Sequence, residues 1–206
     1  MKMELEEKLK NENENEKMKP MFDKLFTKYQ KKIEFQKKLE EIKKIFPQFS
    51  DSEIIQDIEY VKKLQEWIND NDFFSKMKKG FSAKRDGFNS QNWHKAVDGK
   101  GKTLIIIKTK DNFIFGGFTQ VGFNGNTKWI NDSNAFIFSL RNDKGDRIPA
   151  KFTIKQGKEG SAIYSDLGFG PYNLPNGITY GTYEAQSYLA GSYNKWVVDE
   201  LESYFI

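Results

Sequence analysis

The sequence predicts an α+β chain in which amphipathic helices precede an antiparallel β-sandwich. Two observations predict it. Apolar residues recur at helical spacing between Phe22 and Ile68. Beyond residue 80 the texture changes to short β-branched and aromatic runs, separated by Gly, Asn and Asp turns.

Residues 1–20 are almost entirely Lys, Glu and Asn. Such a stretch offers little apolar area to set against chain entropy. It reads as a disordered, low-complexity tail, or as a frayed helix start ended by Pro20. From there Phe22, Leu25, Phe26, Tyr29, Ile33, Leu39, Ile42, Ile45 and Phe46 fall on one helical stripe. Pro47 ends that run. The sequence Ser50-Asp51-Ser52-Glu53 has the form of a capping box and predicts a second helix start. Its stripe is Ile54, Ile58, Val61, Leu64 and Ile68, stopped by Asn69–Asp72. Residues 21–71 are therefore expected to form an amphipathic helical hairpin or a short coiled coil. Each stripe must bury against the other helix, the β region or another chain, so self-association through 21–71 is one expected outcome.

The β elements follow in order. Thr103–Lys108 is continuously apolar from Leu104 to Ile107 and reads as a central strand buried on both faces. Lys110–Asn112 is a turn, and Phe113–Phe118 is the hairpin partner. Ala135–Leu140 is a strand closed by the loop Arg141–Asp146. Lys151–Lys155 alternates, Ser161–Tyr164 is short, and Trp196–Ile206 alternates with Val197, Leu201 and Phe205 on one face.

Composition narrows the chemistry. The 206 residues suffice for one domain plus an extension. There is no cysteine, which excludes disulfides, a thiolate nucleophile, and cysteine-ligated zinc or iron–sulfur centres. The N-terminus lacks the apolar core of a secretory signal. The longest strongly apolar run, Leu104–Ile107, is far short of the roughly 18 residues of a membrane span. A soluble, cytoplasmic protein with no transmembrane segment is expected. The net charge of +4 is nearly even along the chain: residues 1–80 hold 18 lysines against 17 acids. That balance argues against a dedicated nucleic-acid binder.

Five constellations bear on catalysis or binding. Gly101-Lys102-Thr103 looks like the end of a phosphate loop. Such a loop needs a glycine at position 96, which is alanine, and a helix immediately after it, where a β run follows. His94 is the only histidine, so no His-pair metal motif exists. A lone histidine could serve a nucleophile as base, but no Gly-x-Ser-x-Gly elbow accompanies it. Packing beside Trp93 is the simpler reading. Glu200 and Glu202 project to one side of the closing strand. With Asp199 they form a carboxylate set that can do acid–base work or bind a cation; acids on the solvent face of a terminal strand are commoner, and one of the set could instead take a specific hydrogen bond or salt bridge. Lys76, Lys78, Lys79, Lys84 and Arg85 form a basic run that could touch phosphate or anionic lipid, or simply be solvated. The aromatic content is dominated by Phe, which favours core packing over a sugar platform.

Taken together, several motifs resemble the TLDc domain family. Ser82-Ala-Lys-Arg85-Asp86-Gly87-Phe88, Trp93-His94 and Gly99-Lys-Gly-Lys-Thr-Leu104 are similar to its opening. Ile114-Phe-Gly116-Gly117-Phe118 resembles its "I-F-G-G" strand. Asp132–Leu140 resembles "D-x-x-A-F-L-F-S-L", Gly168-Phe169-Gly170 its "F-G", and Leu201-Glu202 its closing strand. The ordered set covers about residues 73–206. Two departures are Ser203 after Glu202, where an apolar residue is usual, and Asn173, where an acidic residue often stands.

The resemblance implies a two-sheet antiparallel sandwich with short flanking helices. It implies a link to oxidative-stress resistance, and binding to a vacuolar proton ATPase subunit. It brings no accepted catalytic residues, cofactor or metal. The expectation is a non-catalytic interaction module, in places peripheral at an organelle membrane through its partner. A hydrolase or peroxide-handling enzyme, and a carbohydrate- or lipid-binding sandwich, stand as alternatives. The motif positions Arg85, Asp86, Gly87, Phe88, His94, Gly116, Gly117, Phe169, Gly170 and Glu202 are expected to serve structure or interaction.

Overall fold

A computed structural model of the chain describes residues 2–123, 132–142, 149–153 and 197–206. The chain divides after Glu41 into two compact units, and each is described by itself. Helix α1 spans Lys2–Ile45 and carries Pro20 in its interior. Lys, Glu and Leu favour helix, and the proline removes one backbone donor without ending the ladder. The Thr27 hydroxyl donates to the Asp23 carbonyl at 2.8 Å, and Lys38 pairs with Glu34 at 3.1 Å.

In the second unit a 3-10 turn at Pro47–Phe49 follows α1. Helix α2 spans Ile58–Ile68 and α3 spans Asn71–Lys76. The Asp57 carboxylate caps α2 by accepting from the Glu59 amide at 3.0 Å. Asn69, at φ 48°, ends α2 in the left-handed conformation. Asp70 then caps α3 through the Phe73 amide at 3.0 Å. The second helix thus starts at Ile58, later than the capping-box sequence predicts. The Ser52 hydroxyl does accept from the Ile54 and Ile55 amides, at 3.2 and 2.8 Å. Its own proton, however, goes to Glu202 on the closing strand, and Glu53 is drawn to Lys84. A local signal for a cap has become a long-range tie.

Strands β1 (Lys78–Ser82), β2 (Thr103–Thr109), β3 (Ile114–Thr119), β4 (Phe136–Arg141), β5 (Ala150–Thr153) and β6 (Val198–Phe205) form one antiparallel sheet, ordered β1-β6-β2-β3-β4-β5. Two short helices, α4 (Ala83–Asp86) and α5 (Ser90–Val97), lie between β1 and β2 in sequence. The last strand is interior, between β1 and β2. Among the described residues this is one sheet. The expected strand Ser161–Tyr164 lies outside them.

Alternation sorts the side chains to two faces. On one face Leu104, Ile106, Phe118, Phe138 and Tyr204 share a core with Val61, Leu64 and Ile68 of α2, Phe73 of α3, and Ile42, Phe49, Ile54 and Ile55. The second apolar stripe is therefore buried on the sheet. On the other face Ile105, Ile107, Phe115, Ile137 and Leu201 pack with Ala83, Trp93 and Val97 of α4 and α5. Trp93 anchors that layer by donating its indole N–H to Ser203 Oγ at 2.9 Å. Each fully buried Leu, Ile or Phe contributes about 1.5–3 kcal/mol relative to exposure.

Candidate functional site

Strand β6 turns Glu200 and Glu202 toward the same side, and its interior place in the sheet leaves both carboxylates 0% exposed. The commoner case, acids on the solvent face of a terminal strand, does not hold for this pair. Glu202 Oε2 accepts from the Ser52 hydroxyl at 2.6 Å and the Tyr204 phenol at 2.7 Å. Oε1 accepts from the Glu53 amide at 2.8 Å and Lys79 Nζ at 3.4 Å. Lys79, on β1, is itself buried and also reaches Asp51 at 3.2 Å. Burial, reinforced by the nearby Glu202 charge, pushes the Tyr204 phenol well above its ordinary pKa. It stays a neutral donor.

Glu200 performs a second tie. Oε1 accepts from the Leu201 amide at 2.9 Å and the Lys84 amide at 3.3 Å, and Oε2 from the Ser82 hydroxyl at 3.3 Å. Burial raises its carboxyl above the ordinary range, against the pull of those backbone N–H groups. The two carboxylates therefore sew different pieces to β6. Glu202 holds the segment Ser52–Ile55, and Glu200 holds the start of α4.

Of the basic run, Lys76, Lys79, Lys84 and Arg85 are paired with acids. Lys84 meets Glu53 at 2.7 Å and Asp199 at 3.8 Å, and the Glu53 hydrogen bond raises its pKa. Lys76 meets Asp72 at 2.6 Å. Arg85 Nε and an Arg85 terminal nitrogen donate to the two Asp86 oxygens at 2.8 and 2.7 Å. That contact holds the Asp86 carboxyl below its ordinary range. These cations face acids instead of forming a bare phosphate-binding patch.

The remaining motif residues take structural places. Asp86 Oδ2 accepts from the Ser82 amide at 2.9 Å, and the Asp86 carbonyl accepts from Asn92 Nδ2 at 2.7 Å. Gly87, at φ 96°, closes α4 in a conformation side chains resist. Phe88 packs at the rim of the α4–α5 core. His94 Nδ1 lies 3.0 and 3.1 Å from the Asp98 oxygens, with its ring edge-on to Trp93. A Cβ on Gly116 would sit 1.9 Å from the Ile105 carbonyl oxygen and 2.6 Å from the Phe138 ring. Gly117 faces Ile105 and Ile137 in the sheet register. Phe169, Gly170 and Asn173 lie outside the described residues.

Gly101-Lys102-Thr103 is not a phosphate loop. Thr103 opens β2, and Lys102 donates to Asp70 at 2.5 Å, lowering the Asp70 pKa. Sequence reasoning missed Ser52, Lys79 and Asp132 as tying residues. Asp132 Oδ2 accepts from the Thr119 hydroxyl at 2.7 Å and the Gln120 and Val121 amides at 2.6 and 3.1 Å, bracing the end of β3. Asp132 stood first in a recognised motif, but nothing local told what it would bind.

A cleft of about 660 Å³ opens beside Trp67, Asn69, Gln120 and Asn134. Lys151 crosses its rim, donating to the Trp67 carbonyl at 3.0 Å and lying over the Phe136 ring. Among the described residues no group of three or more His, Cys, Asp or Glu side chains is placed to hold a metal ion. What the buried carboxylates visibly do is fasten: they fix the segment before α2 and the start of α4 to one strand.

The family model described as the TLDc domain matches residues 49–205. The matched region begins at buried Phe49 and includes the segment held by Glu202 as well as α2, α3 and β6. No curated protein matches the chain.

Proposed function

The chain belongs to the TLDc domain family, and on that premise we propose that it is a non-catalytic intracellular protein-interaction module. The partner in this reading is a vacuolar proton ATPase subunit, and the role is linked to oxidative-stress resistance. The family match carries the reading. The use of the polar groups supports it. Glu202, Glu200, Lys79, Lys84 and Arg85, the groups with catalytic or phosphate-binding chemistry, are engaged in holding backbone and one another. They make a scaffold that presents a surface. The reading includes the two-sheet sandwich of the family, with the six-stranded sheet as one layer.

Among the described residues no helix is long and apolar enough to cross a membrane; in this reading the partner places the chain at an organelle. Affinity purification of the full chain from its source cell tests the reading. Vacuolar ATPase subunits should be enriched, and enrichment of no protein at all would sink it.

A further inference from the structure

Residues 18–38 of α1 lie outside the matched region, and two observations on them remain unused. Met18, Met21, Phe22, Leu25, Phe26 and Tyr29 are 43–64% exposed. At about 100° per residue they fall, with Ile33, within an arc of roughly 140° along some 24 Å of helix. The charge on the same stretch is lopsided. Lysines stand at 19, 24, 28, 31, 32, 37 and 38, against Asp23 and Glu34. By the same spacing Lys28 and Lys32 stand at one edge of the apolar arc and Lys19 and Lys37 at the other, while Asp23, Glu34, Lys24 and Lys31 lie further round the helix.

We propose that this face of α1 binds an anionic lipid surface directly, lying in the headgroup plane. A helix with aromatic and aliphatic side chains on one face and lysines beside them suits that plane. The lysine stems can follow the apolar arc while their ammonium groups meet lipid phosphates and carboxylates. Tyr29 brings an apolar ring with a polar tip to the same boundary. A second copy of the chain is disfavoured by charge. In a two-fold antiparallel pair the same flanks face each other, which sets Lys28 and Lys32 against their own counterparts. An enclosing acidic protein groove is disfavoured because it would also meet the acids on the back. A plane reaches only the arc and the lysines at its edges.

This inference is independent of the ATPase partner. It is tested by floating the full chain with phosphatidylcholine vesicles with and without phosphatidylserine at low salt. Flotation should require phosphatidylserine, with about tenfold less protein carried by the neutral vesicles. It should fall about tenfold in the F22S/F26S variant, and several-fold when Lys19, Lys28, Lys32 and Lys37 become Gln. The circular dichroism and thermal midpoint of the β unit should not change. Equal flotation on both vesicle types, or none, overturns the proposal. So does a concentration-dependent dimer lost in F22S/F26S without flotation, which would assign the face to a second copy. Capture of an acidic protein on the stripe without flotation would assign it to a groove.

Discussion

Four donors converge on Glu202: the Ser52 hydroxyl, the Glu53 amide, the Lys79 ammonium and the Tyr204 phenol. An ionised carboxylate in a core costs several kcal/mol in lost hydration, and only partners of this kind offset it. Glu202→Ala removes the acceptor, strands the buried Lys79 charge and releases the segment before α2. A loss of about 3–5 kcal/mol is expected in urea-induced unfolding. Glu200 and Asp86 set opposite pH dependences. Burial raises the folded pKa of Glu200, so the native state holds its proton at a pH where the unfolded chain has released it. Its contribution to stability therefore declines as pH rises from the ordinary carboxylate value through the raised one. Arg85 lowers the folded pKa of Asp86, so its contribution is present above the ordinary value and is lost as pH falls through the lowered one. Denaturation measured against pH should show Glu200→Gln flattening the profile just above the ordinary glutamate range. Asp86→Asn should flatten it below the ordinary aspartate range. Unchanged profiles in both variants would refute the assignment.

Among the elements, β3 lies against its neighbours with no room for a Cβ at Gly116. Gly116 sits where β2 and the Phe138 ring both press on the backbone. Gly116→Ala must displace the Ile105 carbonyl, which is itself fixed in the centre of the sheet. Overpacking at such a point should cost roughly 3 kcal/mol or more, read as a fall in thermal midpoint with the wild-type fluorescence of the folded state lost first. The elements legible in the sequence are those whose apolar pattern is local. Strands β2, β3, β4 and β6 announce themselves through runs such as Leu104–Ile107 and Phe136–Phe138. Strand β1 does not, because Lys78-Lys79-Gly80-Phe81-Ser82 reads as a charge run. Lys79 is buried only because Glu202, far along the chain, receives it. The same holds for Ser50–Glu53, whose capping pattern was legible but whose partner on β6 was not. The motif glycines and Arg85–Asp86 could be picked out from sequence; what they touch required the register of the sheet.

At the scale of the molecule, the sheet has two apolar faces, and the cover for one of them comes from residues 42–77. Ile42, Phe49, Ile54, Ile55, Val61, Leu64, Ile68 and Phe73 pack there with Leu104, Ile106, Phe118, Phe138 and Tyr204. A boundary at residue 73, where the helix stop and the motif opening coincide in the sequence, would remove most of that cover. It would also remove Ser52 and Glu53 from Glu202. The family match beginning at residue 49 retains most of it. Burial of seven such side chains is worth on the order of 10 kcal/mol even at the lower bound per residue, comparable to the whole stability of a domain this size. The fragment 73–206 should therefore be insoluble, or bind a hydrophobic dye without a cooperative thermal transition. The fragment 42–206 should unfold cooperatively, because it keeps Ile42 and every residue that follows it in that core. Parallel scans of the two fragments decide the matter. A cooperative transition for 73–206 at the midpoint of the longer fragment would mean that the helices decorate the sheet and do not complete it.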